Sequence, residues 1–280
     1  MGIQNIPEHE LARLREKAKE ITGSQFDYQS SYTDLLSRRL NGEPLQYIEE
    51  YVPFYSIQIN VDQRCLIPRP ETEYMIEIIK NNVIAPKKIL DVGTGSGCIA
   101  LMMKKLFPDS EVHAVDISND AITLAKENAE INNLEVNFYQ SDLLTNVEKL
   151  DFDLIVANLP YIPTSNLPTL QKEVIDYEPL IALDGGEDGL LYINKLLDNL
   201  KNTNSNELVL VLGVDISHAQ SLRDSITDWK DVKLEKSGSL IKSILNMLYI
   251  FFFNINQSSE IVVTDKLNVT SSSRRLKETC

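Results

Sequence analysis

The sequence predicts an α/β fold, in which a small helical unit precedes a largely parallel, doubly wound sheet. Residues 8–40 carry apolar side chains at helical spacing. From residue 88 to residue 212, short apolar segments alternate with amphipathic ones, which is the βαβ pattern of a parallel sheet. A glycine-rich turn at 93–97 separates the first of these strands from the helix that follows it.

The helical unit is predicted to end just before a β-structured segment. Asn41-Gly42 closes the last helix, because glycine tolerates a left-handed cap, and Pro44 prevents its continuation. From Tyr47 to Leu66 apolar and polar residues alternate, which predicts a strand or a hairpin. The following segment, 67–73, contains two prolines that favour an extended entry and two glutamates that favour a helix N-terminus.

The predicted sheet follows in chain order. Its strands are expected at 88–92, 111–115, 136–139, 152–157 and 207–212. Its helices are expected at 97–107, 120–131 and 190–200. From about Ser237 the composition changes, and the apolar run 244–253 is predicted to be a strand. The Ser/Thr-rich last 20 or so residues are predicted to be poorly ordered.

Composition limits the functions available to the chain. Its 280 residues include 41 acidic and 27 basic side chains, for a formal net charge of −14, which argues against broad binding to a nucleic-acid backbone. No stretch reaches the ~20 apolar residues that span a bilayer. The three scattered cysteines show no metal-ligand spacing and suit a reducing compartment. We therefore expect a cytoplasmic monomer without a metal site or membrane contact, and an organellar location stays open.

The turn at 93–97 is a candidate cofactor loop. It lacks the Lys-Ser/Thr pair of an NTP-binding loop, and its G-x-G-x-G spacing departs from the dinucleotide pattern G-x-G-x-x-G. Asp91, just before the turn, disfavours a pyrophosphate but suits a cationic ligand. These features favour S-adenosylmethionine, which carries a sulfonium and an ammonium group and no phosphate. A tight turn without a ligand is the alternative.

Residues after the next strands extend this candidate site. Asp116 ends the second strand, where a carboxylate can bind ribose hydroxyls. Asp142 follows the third strand, where it or Leu143 can border an adenine. The predicted cofactor site comprises Gly93, Thr94, Gly95, Ser96, Gly97, Asp116, Asp142, Leu143 and Asn158.

A candidate acceptor site follows the fourth strand, at Asn158-Leu159-Pro160-Tyr161. The Asn158 amide oxygen and the next backbone carbonyl can both accept hydrogen bonds from one planar NH2 group, and the ring of Tyr161 can pack against it. Such a cradle suits an amide or an exocyclic amine. An Asn-capped loop with a buried tyrosine is the alternative. The predicted catalytic residues are Asn158, Pro160 and Tyr161.

Six segments resemble the release-factor glutamine N(5)-methyltransferase family of the HemK/PrmC type. They are RRLNGEPLQYI (38–48), LIPRPETE (66–73), ILDVGTGSGCIAL (89–101), AVDIS (114–118), FDLIVANLPYIP (152–163) and YEPLIALDGGEDGL (177–190). The resemblance runs from about Leu35 to about Leu212. General adenine methyltransferases would share an NPPY-type motif but not the IPRPETE segment.

The resemblance implies a Rossmann-like, seven-stranded methyltransferase sheet with an N-terminal helical domain and a β-hairpin connector. The implied division is a helical substrate-docking unit at 1–47, a connector at 48–70, a methyltransferase domain that uses S-adenosylmethionine at 71–240 and a divergent, partly disordered tail at 241–280. The implied substrate is the glutamine of a Gly-Gly-Gln motif in peptide-chain release factors. The implied substrate-binding residues are Asn158, Leu159, Pro160, Tyr161, Arg69 and Glu71.

The chain departs from the family pattern in three places. Leu159 replaces the first proline of the acceptor motif, although the contact expected there is a backbone carbonyl, which any residue supplies. The helical unit is shorter than is usual in the family, so docking of the release factor is expected to be reduced or different. After about Ser237 the family pattern stops.

The hypothesis from the sequence is methylation of a protein glutamine side chain, with a release factor as the substrate. Three alternatives stay open. The acceptor can be a glutamine of a ribosomal protein, or the amino group of adenine in nucleic acid, which the acidic composition disfavours. The third alternative is a cofactor-binding protein without activity.

Overall fold

Three helices form the N-terminal unit of the computed structural model, which describes residues 6–22, 27–200, 207–226, 234–236 and 249–256. They are α1 (Glu8–Thr22), α2 (Tyr28–Leu40) and α3 (Leu45–Glu49). Their apolar faces meet in a small core of buried residues, which consists of Leu14, Ala18, Leu35, Leu45 and Ile48. The helical prediction for residues 8–40 is confirmed where the structure describes them.

The strand pattern expected from Tyr47 onward begins later than predicted. Pro44 precedes α3, in which Leu45, Tyr47 and Ile48 are all buried, and the helix ends where Glu50 adopts a left-handed conformation with φ of 71°. Packing of α3 against α1 and α2 thus overrides the local alternation. The predicted boundary between residues 47 and 48 lies inside α3.

A hairpin connects this unit to the rest of the chain. It consists of β1 (Tyr51–Phe54) and β2 (Ile57–Asn60), paired antiparallel. Residues 61–69 then lead without regular structure into α4 (Pro70–Asn82), which has a proline at its start and two glutamates in its first turn, as the sequence predicted. Proline fits the first turn of a helix because the N–H that it lacks would have no partner there.

Five parallel strands form the centre of the sheet and confirm the predicted α/β class. They are β3 (Lys88–Val92), β4 (Glu111–Asp116), β5 (Asn137–Gln140), β6 (Leu154–Ala157) and β7 (Glu207–Val214). Their spatial order is β5-β4-β3-β6-β7. The helices among and after them are α5 (Cys98–Leu106), α6 (Asn119–Asn132), α7 (Lys172–Tyr177), α8 (Leu191–Leu200) and α9 (Ala219–Ile226).

Two further strands lie beyond β7. β9 (Tyr249–Asn256) pairs antiparallel with β7, and β8 (Leu234–Lys236) pairs antiparallel with β9. The strand prediction for the apolar run is confirmed over 249–253. The predicted disorder of the last residues lies outside the described residues. None of the described helices combines the length and the apolar character that crossing a membrane requires.

The hairpin is fastened to the sheet domain by one buried amide. The side chain of Asn128, on α6, accepts a hydrogen bond from Asn60 N at 2.7 Å and donates to Asn60 O at 3.0 Å. It also donates to Ser96 O, in the glycine-rich turn, at 2.9 Å. Asn128 is fully buried, so losing it would leave these backbone groups without a replacement partner.

Replacement of Asn128 by alanine is therefore expected to lower the free energy of unfolding by about 2–4 kcal/mol. The matched control is Asn132→Ala, on the same helix. Asn132 donates to Gln58 O of the hairpin at 2.7 Å but is only partly buried, so water can replace it. We expect a loss of about 1 kcal/mol or less for the control. Equal losses in denaturant unfolding would contradict the role assigned to Asn128.

Candidate active site

The parallel register brings four loops together at one edge of the sheet. Val92 of β3 pairs with Val115 of β4 on one side and with Ala157 of β6 on the other. The residues that follow these strands therefore lie side by side at the carboxyl edge. The glycine-rich turn occupies the middle of this edge, between the loop after β4 and the loop that begins with Asn158.

Three glycines shape the turn after β3. Gly93, Gly95 and Gly97 have φ of 74°, 53° and 82°, a left-handed conformation that other residues rarely adopt. The backbone N–H groups of Gly93 and Thr94 both donate to Val115 O at 2.9 Å, which ties the turn to β4. Gly97 lies so close to α6 that an added Cβ would be 3.1 Å from the Cβ of Ala125.

Asp116 links the glycine-rich turn to the loop after β4. One carboxylate oxygen accepts from Gly95 N at 2.9 Å, and the other accepts from Ser118 N at 2.9 Å. Burial raises the pKa of this carboxyl group, and the hydrogen bonds from Ser118 and Gly95 oppose the rise. The carboxylate lines the cleft and keeps lone pairs for a hydroxyl group of a ligand.

Asp91 lies fully buried beneath the turn. Its Oδ2 accepts hydrogen bonds from Thr94 Oγ1 at 2.6 Å and from Ala100 N at 3.1 Å, whereas its Oδ1 has no hydrogen-bond partner among the residues that the structure describes. Burial raises the pKa of this carboxyl group to about 7. Asp91 is not part of the cleft lining, so its contacts serve to hold the turn.

The loop after β5 closes the cleft beyond Asp116. Asp142 and Leu143 both line the cleft; that one of them borders an adenine stays a prediction. Leu143 has φ of 48°, a strained value for a residue with a branched side chain. Its side chain is buried in the core formed with β3 and β4, which compensates the strain and fixes the backbone at the cleft.

The acceptor segment lies beside the glycine-rich turn, and both line the same cleft. Asn158, Leu159 and Pro160 all line the cleft. The side-chain oxygen of Asn158 is buried and has no hydrogen-bond partner in the part of the chain that the structure describes, which is costly unless a ligand supplies one. The side chain of Leu159 is also buried, and its Cδ2 lies only 2.9 Å from the position that a Cβ on Gly93 would take.

The segment 185–189, which contains three glycines, packs against the backbone of the acceptor segment. An added Cβ on Gly185 would lie 2.8 Å from Pro160 O, and one on Gly189 would lie 2.3 Å from Tyr161 O. The ring of His218 donates through Nε2 to Tyr161 O at 2.9 Å. The backbone of the acceptor segment is therefore held by close contacts that only glycine permits.

The remaining predicted residues differ in their position. The structure does not place Gly97, Tyr161 or Glu71 in the cleft lining, whereas Arg69 lies there with Pro68. Burial raises the pKa of the Tyr161 hydroxyl; the nearby charge of Glu71 adds to the rise, and that of Arg69 opposes it. Tyr161 and Glu71 thus lie close to each other, outside the cleft lining.

The cleft also contains residues that the sequence did not single out. It holds about 1040 Å³ of empty space, a figure that includes its open mouth. The additional lining residues include Arg64, Cys65, Pro179, Ile181, Ala182 and Tyr192. The patterns of their segments predict secondary structure but do not mark these residues as part of a site, although 179–182 lies in a motif of the family resemblance.

The arrangement fits a nucleoside-bearing cation better than a phosphate. The turn offers space at Gly95, where an added Cβ would meet nothing within 4 Å, and carboxyl groups at Asp116 and Asp142 border the cleft. Asn158, whose side-chain oxygen has no partner among the described residues, lines the same cleft. Such a site can hold a hydroxylated, positively charged ligand beside a group that donates hydrogen bonds.

Comparison with known proteins agrees with these features. The sequence model of the family "Methyltransferase small domain" matches residues 70–177. A release factor glutamine methyltransferase of Koribacter versatilis (strain Ellin345) is 38% identical over 213 residues, which cover 74% of this chain and 75% of that protein. The release factor glutamine methyltransferase of Thermodesulfovibrio yellowstonii is 38% identical over 210 residues, which cover 73% of this chain and 74% of that protein.

A solved structure shares the fold at lower identity. A methyltransferase from Pyrococcus furiosus superimposes with a TM-score of 0.55 and 19% identity, over 80% of this chain and 99% of that one. At this level of identity the likeness shows the fold alone. It confirms the predicted likeness to a methyltransferase sheet.

Gly97 and Gly95, the last and the middle glycine of the turn, are expected to respond differently to an added methyl group. Gly97→Ala is expected to lower the free energy of unfolding by about 2–4 kcal/mol, because it combines left-handed strain with overlap on Ala125. Gly95→Ala is the matched control, since it has the strain without the overlap, and about 1–2 kcal/mol is expected. Thermal unfolding without ligand measures both. A Gly95→Ala loss as large as that of Gly97→Ala would disprove the close packing.

The buried carboxyl group of Asp91 predicts a pH dependence of stability. Its pKa rises from 3.8 when unfolded to about 7 when folded, so the folded chain binds more protons between about pH 4 and pH 7. The contribution of Asp91 to the free energy of unfolding therefore falls as the pH rises through this window, by at most about 4 kcal/mol. Asp91→Asn is expected to remove that decline in denaturant unfolding at pH 5 and pH 8.

Asp184→Asn is the control for this experiment. A hydrogen bond from Thr164 and one from Gly186 lower the pKa of the Asp184 carboxyl group. Its stabilising contribution is present above the unfolded-state pKa of 3.8 and is lost only as the pH falls through the folded-state pKa. The control should therefore retain the decline between pH 5 and pH 8. An unchanged decline in Asp91→Asn would refute the assignment to Asp91.

Proposed function

The chain belongs to the release factor glutamine methyltransferase family, and we propose that it transfers a methyl group from S-adenosylmethionine to the side-chain nitrogen of a glutamine in a peptide-chain release factor. The proposed acceptor is the glutamine of the Gly-Gly-Gln motif. One observation carries the proposal: the buried oxygen of Asn158 has no hydrogen-bond partner among the described residues, and Asn158 lines the cleft that the glycine-rich turn also lines.

The acceptor amide would be held by two hydrogen bonds. A glutamine NH2 group has two donors, and Asn158 Oδ1 together with the backbone carbonyl of Leu159 supplies two acceptors. Satisfying the buried oxygen of Asn158 removes its desolvation penalty, so an amide is favoured there over an apolar group. The amide nitrogen is a weak nucleophile because its lone pair is delocalised, and two acceptors increase its electron density.

The cofactor would lie along the glycine-rich turn. S-Adenosylmethionine, when bound, supplies a methyl group made electrophilic by the positive charge on sulfur. Gly93 to Gly97 would provide the close backbone approach, Asp116 would accept hydrogen bonds from the ribose, and Asp142 and Leu143 would border the adenine. Asn158 would lie between the cofactor and the acceptor, which is why the sequence assigns it to both sites.

The proposed catalysis rests on positioning and fixed dipoles. The Tyr161 hydroxyl, with its raised pKa, stays neutral near pH 7 and so adds no charge beside the amide. The carbonyl of Leu159 belongs to a backbone whose next residue, Pro160, cannot rotate freely about φ. Groups that are already oriented need no rearrangement as charge shifts during methyl transfer.

The helical unit at 1–47 is proposed to contact the release factor beyond the cleft, with 48–70 as the connector, 71–240 as the catalytic domain and 241–280 as a divergent tail. Contacts between described residues hold the unit on the catalytic domain: Arg39 Nη1 pairs with Glu173 Oε2 at 2.9 Å, and the Tyr177 hydroxyl donates to Asn41 O at 3.2 Å. The unit is therefore fixed relative to α7.

We further propose that the chain acts as a monomer in the cytoplasm and does not bind nucleic acid directly. The net charge of −14 supports a protein substrate rather than a phosphate backbone. The free thiols of Cys65 and Cys98 suit a reducing compartment.

Methyl transfer is tested with labelled S-adenosylmethionine, a purified release factor and its variant in which the Gly-Gly-Gln glutamine is alanine. We expect labelling of the first protein only. Equal labelling of both would overturn the proposed function. A ribosomal protein fraction and a duplex DNA serve as the competing substrates, because they represent the other acceptors of the same chemistry.

Asn158→Ala is expected to reduce kcat at least about 100-fold, since it removes an acceptor that orients the reacting nitrogen. Calorimetry with S-adenosylmethionine should show a dissociation constant that changes far less than kcat. The matched control is Asn166→Ala, an exposed residue of the neighbouring helical turn Thr164–Thr169, which should retain full turnover. Retained turnover in Asn158→Ala would exclude the proposed amide-holding role.

A further inference from the structure

Glu178 is a buried carboxylate that the proposed mechanism does not yet use. Only 1% of its side chain is exposed, and both oxygens are engaged by the segment before α4. Oε1 accepts from Arg69 Nη2 at 2.5 Å, and Oε2 accepts from Ile67 N at 3.1 Å. Burying a charge costs free energy even when it is paired, so such a pair is weak evidence for a stabilising role.

Arg69 is the exposed partner of this pair. Its side chain is 35% exposed and lines the cleft. A guanidinium has five N–H donors. Among the described residues, the guanidinium of Arg69 donates one hydrogen bond, and Glu178 accepts it. The cation is also close enough to Tyr161 to lower the pKa of its hydroxyl against the effect of burial. Arg69 therefore lines the same cleft as the acceptor segment 158–160.

The backbone at Arg69 is already fixed before the ion pair forms. Pro68 and Pro70 restrict φ on both sides, and Arg69 itself is extended, with φ of −93° and ψ of 147°, where α4 begins. The side-chain torsions are the main freedom that is left. By anchoring one end of the guanidinium, Glu178 removes that freedom in advance, so less entropy is lost when a ligand binds.

The charges of the pair indicate which ligand it suits. Glu178 neutralises Arg69, so the cleft presents oriented N–H donors without a net positive charge. A phosphate or carboxylate ligand would be attracted by Arg69 but repelled by the carboxylate of Glu178. A neutral carbonyl oxygen is not repelled and needs only the N–H donors of Arg69. The main-chain carbonyls of an extended peptide are neutral acceptors of this kind.

We infer that Glu178 is a positioning residue, which orients Arg69 to bind main-chain carbonyl groups of the protein segment that carries the acceptor glutamine. The inference rests on the proposed function and adds to it the group that holds the substrate backbone beside the reacting side chain. Arg69 makes the contact, and Glu178 acts through Arg69.

The test compares Glu178→Gln, Arg69→Ala and the double variant by steady-state kinetics with a release factor. Glu178→Gln keeps the size of the side chain and can still accept from Ile67 N, but it loses the charge that holds Arg69. We expect KM for the release factor to rise about tenfold in each single variant while kcat falls less than about threefold. The double variant should show no further rise, because Glu178 acts through Arg69.

A purely structural role predicts a different pattern. Leu66 and Pro68 line the same cleft, so a collapsed segment would also weaken binding of S-adenosylmethionine. Calorimetry should instead give a cofactor dissociation constant within about twofold of the wild type for Glu178→Gln. Weaker binding of S-adenosylmethionine, or effects on KM that multiply in the double variant, would overturn the role of Glu178.

One control variant and one replacement variant complete the experiment. Asp153→Asn also converts a carboxylate to an amide; its Oδ2 accepts from Lys87 N at 2.6 Å and Lys88 N at 2.8 Å at the opposite edge of the sheet, so KM should not change. If Glu178→Gln does not fold, Glu178→Asp replaces it in the cycle, because the shorter chain cannot reach Arg69 and Ile67 together. If the wild-type enzyme labels the release factor and its Gln→Ala variant equally, the proposed function itself is refuted.

Discussion

The parallel register of β3, β4 and β6 is the constraint on which the site depends. Because parallel strands end at the same edge, Gly93, Asp116 and Asn158 become neighbours although they are far apart in sequence. The hydrogen bond from Gly95 N to Asp116 then fixes the distance between the two loops that would hold the cofactor. The other residues of the cleft pack around these loops.

The acceptor side is fixed by close backbone approach. The segment at 185–189 packs directly on the backbone of Pro160 and Tyr161, where an added Cβ at Gly185 or Gly189 would overlap main-chain atoms. Backbone hydrogen bonds between Ile162 and the residues Leu183 and Gly185 extend this contact. The acceptor segment is consequently a supported turn rather than a free loop, as catalysis by positioning requires.

The sequence predicted the parts of the fold in which local signals and packing agree. The strand β6 is a continuous apolar run, β3 and β4 are short segments with apolar residues at their core positions, and the turn after β3 needs glycine for its left-handed torsions, so these features could be predicted from the sequence. The start of the hairpin was misplaced, because burial of Tyr47 and Ile48 makes their segment helical. The contact of Glu178 with Arg69 joins residues 109 positions apart and leaves no local pattern.

Leu159 shows how the acceptor turn can function without the proline that the family pattern has at this position. Its side chain is buried against Gly93, where only glycine leaves room for it, so packing restricts a residue that no ring constrains. The following residues add hydrogen bonds, from His218 Nε2 to Tyr161 O and from Gly185 N to Ile162 O. The carbonyl of Leu159 thus lies between a packed side chain and an anchored backbone, and its direction is set by tertiary contacts in place of proline.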